Sequence, residues 1–444
     1  MRGAGQDGPF GGLEVEACRA RIRARNGLLH AILHELEEPE VPACPPDAPL
    51  VGVPYVLKDT WDTAGIPTTG GSWRHRARVP SESSHAHRAL AAAGAVLLGK
   101  SNLCDLAFSA ESDNHLRGPV RNPHDPTRTA GGSTGGGAAA VADGMAAFDW
   151  GTDFGGSIRA PAAFCGVVGL RLSAEAWPVR REHVPRIAPH FWDFCGMGPL
   201  TREVAGARAV VSAVRGALRT DAPDRAMDPE RVALWAPDRA HEGEWATFEG
   251  DVRAALAEAG VAAEPARELP PPSAVNALYT EYLSANFREL VAGDELPLRD
   301  GIPAVLLALA SRGRLDKRVH PNTAMLFAGV AGLSLVHRDR ARVSAAFAKL
   351  RADVRRIWDR GQLVVSPTCT TRPPRHGRSA FAYRLMSFCK LGNLVDATAL
   401  ALPFGRFGGS PAMPRSLQIL GPPGSEDAVL ALAARLEAAL RARA

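Results

Sequence analysis

Residues 129–172 constrain this chain most, because glycine, serine, threonine and alanine crowd its turns: TAGGSTGGGAAAVADG is followed shortly by DWGTDFGGSIRAPAAFCGVVGLR. Consecutive glycines let backbone amides converge on one point, and a serine closing such a turn brings its hydroxyl to that point. A stretch like this keeps its shape only between rigid elements. Short apolar runs supply them, at Val51–Leu57 and Ala95–Leu98, with an alanine-rich helix expected over 86–94 between them. Such alternation predicts an α/β fold, a sheet with helices on its faces. Further strands are expected at 363–368 and, as a pair joined by a glycine-rich turn, over 399–421. Amphipathic helices are expected over 13–37 and 425–443, with a proline-rich linker from Pro39 to Pro49. Residues 203–360 read as mostly helical, with a break at Pro270–Pro272. The expectation is one domain over 1–444, with 203–360 as a helical cap or substrate-specificity insertion within it.

Charge and apolar patterning narrow the function classes. A net charge of +5 over 444 residues is too dilute to argue for nucleic acid, and no basic run is interleaved with aromatics. The longest apolar run, around Ile302–Ala310, falls far short of a membrane span, and MRGAGQDGPFGG has no signal-peptide core. Seven scattered cysteines without a C-x-x-C pair read as reduced thiols, so a cytoplasmic location is expected. Only five of the 52 basic residues are lysines: Lys58, Lys100, Lys317, Lys349 and Lys390. Where positive charge alone suffices this chain uses arginine, so a lysine in an apolar segment points to a property arginine lacks.

Several motifs match in form and fail in context. Gly94–Ser101 fits a phosphate-loop pattern, but its loop positions are Ala-Val-Leu-Leu, the substance of a strand. Gly131–Gly135 fits the nucleophile elbow G-x-S-x-G, but a loop, Asn122–Ala130, precedes it instead of a strand. His85 and His87 stand two apart with no acidic or thiol ligand at metal spacing, and read as a surface pair. Ser157, after Gly155-Gly156, is the better nucleophile, and it needs a base. No histidine lies between His124 and His183. Lys58 ends an apolar run, and burial would push its amine toward the neutral, proton-accepting form. The competing reading is a lysine that snorkels out to pair with Asp59.

With these segments in view, the chain resembles the amidase signature family. The likeness is carried by Gly52-Val-Pro-Tyr-Val-Leu-Lys58-Asp59, Gly65-Ile-Pro-Thr-Thr-Gly-Gly-Ser72, Gly99-Lys-Ser-Asn-Leu103 and Gly118-Pro-Val-Arg-Asn-Pro123. It continues through Gly131-Gly-Ser-Thr-Gly-Gly136, Gly151-Thr-Asp-Phe-Gly-Gly-Ser-Ile-Arg159, Ala162–Arg171, Gly198–Arg202 and Leu417–Pro422. The steps of 75 residues from Lys58 to Ser133 and 24 from Ser133 to Ser157 also fit.

The resemblance implies a large mixed β-sheet surrounded by helices, and an amide hydrolase working through a Ser–cis-Ser–Lys triad with no cofactor and no metal. Ser157 would be the nucleophile. Ser133, beside a cis peptide bond, would relay the proton, and Lys58 would be base and then acid. Backbone amides of Phe154, Gly155, Gly156 and Ser157 would form the oxyanion hole, with Gly132, Thr134, Asp153 and Arg159 in support. Thr134, Gly137 and Phe154 depart from the commoner Ser, Ser and Thr. The acyl pocket is expected to draw on Phe108, Phe154, Trp192 and residues from Tyr279 to Phe287, which suggests an apolar or aromatic acyl group. The expected partner is a small-molecule amide, with no nucleic acid and no membrane, and a homodimer is the assembly to test. The same fold also carries amide-forming acyltransferases and glutamine-dependent amidotransferase subunits. A binding protein on an inactive scaffold is disfavoured because all three triad positions are intact.

Overall fold

The computed structural model describes residues 8–179, 189–221, 224–238, 244–286, 289, 298–311, 313, 315, 317–334, 339–378 and 386–442. Eleven strands among them form one mixed sheet: β1 (Ile32–Glu40), β2 (Pro54–Lys58), β3 (Val96–Ser101), β4 (Phe148–Asp153), β5 (Val168–Arg171), β6 (Gly196–Thr201), β7 (Asp228–Leu234), β8 (Ala262–Pro265), β9 (Gln362–Cys369), β10 (Thr398–Arg406) and β11 (Pro414–Gly421). Their spatial order is β1-β3-β2-β4-β6-β5-β10-β11-β9-β7-β8. β2 runs parallel to both β3 and β4, and β9, β7 and β8 are parallel to one another, while the remaining pairings are antiparallel. Helices cover both faces, as the α/β reading requires.

Two expectations change. The first helix is Val15–Leu29 and does not run on to residue 37. His30 turns left-handed (φ 54°), and the buried Asn26 side chain hooks the emerging strand by bonding both the N–H and the carbonyl of Ile32. Beyond that hook, burial alternates along β1, the pattern of a half-buried strand. Region 203–360 is helical over Val204–Leu218, Phe248–Glu258, Pro272–Ala285, Leu298–Ser311, Pro321–Ser334 and Arg340–Asp359, yet it also contributes β7 and β8 to the main sheet.

The strands that carry the site are buried throughout β2, β3 and β4. On one face Tyr55, Leu57, Phe148 and Trp150 pack toward Val210, Val211 and Val214 of Val204–Leu218. On the other, Val56 meets the alanines of Gly135–Asp143 and Ala162. That second helix lies very close to the sheet edge because it begins with glycines. A Cβ on Gly136 would fall within 2.4 Å of the Ala31 carbonyl and of Asn102 backbone atoms. No helix among the described residues is long and apolar enough to cross a membrane.

Candidate active site

Because β2 and β4 are parallel neighbours, their carboxyl ends lie side by side, the position where open α/β sheets present their ligands. Lys58 ends β2, and Asp153 ends β4. Lys58 is fully buried. Its Nζ lies 2.7 Å from Ser133 Oγ, 3.0 Å from Thr152 Oγ1 and 3.3 Å from the Thr152 carbonyl. The snorkelling alternative is thereby excluded. Asp59 instead faces Lys100 at 3.2 Å and accepts from Thr69. Burial lowers the Lys58 amine to about 8, against the opposing pull of Cys104, Asp149, Cys195 and Asp153.

Ser133 precedes the helix Gly135–Asp143, and the Gly132–Ser133 peptide bond is cis. Ser112 fixes this turn from behind: its hydroxyl donates to the Ser133 carbonyl (3.1 Å) and accepts the Gly135 N–H (2.9 Å). The Thr134 N–H donates to the Ser157 carbonyl at 3.1 Å, so the two serine-bearing turns are tied directly together. Thr134 Oγ1 also reaches the Thr152 carbonyl at 3.4 Å.

The turn from Asp153 to Arg159 is organised by one buried ion pair. Asp153 accepts the N–H groups of Gly156 (2.8 Å), Ile158 (3.1 Å) and Arg159 (3.3 Å), together with Arg159 Nε (3.0 Å) and Nη2 (2.9 Å). Asn393 Nδ2 adds a further donor at 3.0 Å. Arg159 continues outward to Asn393 Oδ1 (2.7 Å) and Gln418 Oε1 (3.1 Å). Burial alone would push the Asp153 carboxyl up, but the Arg159 charge and these bonds hold it well below the usual carboxylate range. Gly156 takes φ +111°, where an L side chain fits poorly. Its amide is committed to Asp153, which corrects the expectation that all four amides of 154–157 point at the substrate.

Ser157 opens onto a cleft of about 60 Å³ lined by Ala107–Ala110, Phe154, Gly155, Tyr279, Leu283, Leu326, Phe327, Val330 and Met386. Phe154 packs edge-on to Phe191 and Tyr279, and Tyr279 donates its hydroxyl to the Phe154 carbonyl at 3.0 Å. Phe108 lines the same cleft. Trp192 is absent from that lining and packs against the main core, whereas its neighbours Phe191 and Phe194 belong to a different cluster. Phe287 lies outside the described residues. Sequence reasoning missed Leu326, Phe327 and Val330, which sit on one face of Pro321–Ser334, and Asn393, which arrives from Ser387–Leu394. Neither helix carries a local signal of its role. Thr152 was within reach of inference, since it adjoins Asp153 in the glycine-rich segment.

The motifs set aside on sequence take structural roles. Val96–Ser101 is strand β3, and Lys100 bonds the Trp61 carbonyl and Thr68. His85 and His87 are buried, not a surface pair: His85 packs on Trp61 and His87 faces Glu40, as the helix His85–Ala92 seats its first turn on the core.

The buried lysine, the two tied serine turns and the glycine turn braced by an ion pair together form one candidate site at the end of β2 and β4. The Amidase family matches over residues 34–430. AmiB2 of Mycobacterium tuberculosis, whose name places it among amidases, is 32% identical over 418 residues, 88% of this chain and 82% of its own. The A-subunit of glutamyl-tRNA(Gln) amidotransferase from Maridesulfovibrio salexigens is 30% identical over 463 residues, 95% of this chain and 92% of its own. Its counterpart from Nitratidesulfovibrio vulgaris is 38% identical over 227 residues, so the match spans only 45% of its length. Among solved structures, 6-aminohexanoate cyclic dimer hydrolase in complex with substrate superposes with a TM-score of 0.72 at 23% identity, covering 97% of this chain and 94% of that one. A bacterial aryl acylamidase superposes at 0.70 with 22% identity, covering 96% and 92%. The chain belongs to the amidase signature family.

Proposed function

We propose that this protein hydrolyses a carbon–nitrogen amide bond through an acyl-enzyme on Ser157. The observation that carries the reading is the contact of the buried Lys58 Nζ with Ser133 Oγ at 2.7 Å, on a turn bonded to that of Ser157. A neutral Lys58 amine accepts a proton from the Ser133 hydroxyl, and Ser133 takes one from Ser157. Ser157 Oγ then attacks the carbonyl carbon. The developing oxyanion is met by the amides of Phe154, Gly155 and Ser157, worth about 3 kcal/mol per donor. Gly156 supports them indirectly, through Asp153. The charged Lys58 returns its proton through Ser133 to the leaving nitrogen, which amide cleavage requires. Water then reverses the sequence to release the acid.

The cleft favours an apolar acyl group, since among the described residues its lining carries no charged side chain. The similarity to amidotransferase subunits over nearly the whole chain supports a second reading, ammonia release from glutamine for a partner. Among the described residues of this lining glutamine's α-ammonium and carboxylate would find no counter-charge, so we rank it behind hydrolysis of apolar amides. Acyl transfer to an amine is a third outcome of the same intermediate. The test is a panel of aliphatic and aryl amides, with glutamine beside them, assayed for released amine or ammonia with and without added hydroxylamine. Turnover of apolar amides by wild type, and none by Ser157→Ala, is expected. Turnover of glutamine alone would overturn the hydrolase reading.

A further inference from the structure

Behind Lys58 lies a carboxyl that this mechanism does not use. Asp149 is the second residue of β4, opposite Val56 of β2 and Leu200 of β6 in register. It is fully buried. Ser101, which pairs with Lys58 across β2 and β3, donates its hydroxyl to Asp149 Oδ1 at 2.6 Å. Oδ2 is buried and has no hydrogen-bond partner among the described residues. The carboxyl fills the space under the helix Gly135–Asp143: a Cβ at Gly137 would stand 2.3 Å from Asp149 Cγ and Oδ2. Glycine at 137 and aspartate at 149 are therefore a matched pair, and a buried acid has been fitted onto the sheet face that carries Lys58.

A buried carboxyl with an unsatisfied oxygen is costly and calls for a role. Burial pushes Asp149 up to about 7, against the Ser101 bond and the Lys58 charge. The groups facing it are few. β2 offers Lys58, β3 offers Ser101, β6 offers Leu200, and the helix offers glycine and alanine. Lys100 is engaged with Asp59, Trp61 and Thr68. Cys104, Cys195 and Asp153 also act on Lys58. We infer that Asp149 is a positioning residue of the reaction, a buried acid whose charge state sets how readily Lys58 gives up its proton. An ionised Asp149 holds Lys58 charged and idle, a neutral one frees the amine, and the two titrate as a pair.

The inference rests on the role of Lys58 proposed above, and the test separates the two. The probe is a fluorophosphonate, and the readout is its second-order rate of labelling across pH 5–10 for wild type, Asp149→Asn and Asp149→Ser. Wild-type labelling is expected to rise through about pH 8, where Lys58 loses its proton. Removing the acid removes the charge that holds Lys58 protonated, so the acid limb should move about one unit lower in both variants. If Asp149→Asn does not fold, Gly137→Ala/Asp149→Ser fills the space without the charge and is expected to show the same shift. An unmoved limb in a folded variant overturns the role of Asp149 and leaves that of Lys58 standing. Unaltered labelling of Lys58→Ala overturns both.

Discussion

Replacing Arg159 by methionine isolates the ion pair that braces the glycine turn. The substitution keeps the apolar stem of the side chain but removes the guanidinium. Asp153 loses two donors, at 3.0 and 2.9 Å, and Asn393 Oδ1 and Gln418 Oε1 lose theirs. The carboxylate stays fully buried. Breaking a buried pair by deleting one partner costs about 3–5 kcal/mol. Three backbone N–H groups and Asn393 still hold Asp153, so the lower end, about 3 kcal/mol, is expected. The deficit carries a pH signature. Wild-type Asp153 has a depressed folded value, so its contribution is present above the unfolded carboxyl value and lost only in strong acid. Without Arg159, burial dominates and the folded value rises, so mild acid neutralises the stranded carboxylate. Urea unfolding followed by tryptophan fluorescence should therefore show a gap of about 3 kcal/mol near pH 7.5 that narrows toward pH 5. A gap below about 1 kcal/mol, or one that does not change with pH, would refute the reasoning.

Three further predictions concern the site itself. Turnover of a cleaved amide should rise as pH climbs through about 8, because the neutral Lys58 amine is the working form. Lys58→Arg, which stays protonated, should fold and lose about 10²–10⁴-fold in rate, and retention of a tenth of wild-type turnover would reduce Lys58 to a charge. Gly156→Ala should cost at least about 1–3 kcal/mol by thermal denaturation, since its Cβ would meet Cys389 Cβ at 2.7 Å with φ held at +111°. A variant with unchanged melting would mean that the turn is looser than described.

The legible part of this protein is local in sequence. Lys58, Ser133 and Ser157 each sit in a short segment whose composition has few other uses, and the scarcity of lysine marked Lys58 independently. Lys58, Lys100 and Lys390 are all fully buried, as that argument anticipates for lysines that arginine cannot replace. Strands β9 to β11 and the helix Glu426–Ala442 were likewise read from continuous apolar periodicity. What sequence did not show depends on distant pairings. Asn393 reaches Asp153 across 240 residues, and Gln418 reaches Arg159 across 259. β7 and β8 are isolated among helices, and each takes its place by pairing at the sheet edge beyond β9. Gly137 was noted only as a departure, and its reason, the Asp149 carboxyl, exists only once helix and sheet are packed.

In the proposed mechanism Ser157 carries the acyl group. The direct measurement is peptide mapping by mass spectrometry of wild-type protein labelled with a fluorophosphonate, beside Ser157→Ala and Ser133→Ala. A single adduct is expected on Ser157, with none in Ser157→Ala and slow labelling of Ser157 in a folded Ser133→Ala. An adduct on Ser133 in wild type, or labelling of Ser157→Ala at the wild-type rate, would contradict it.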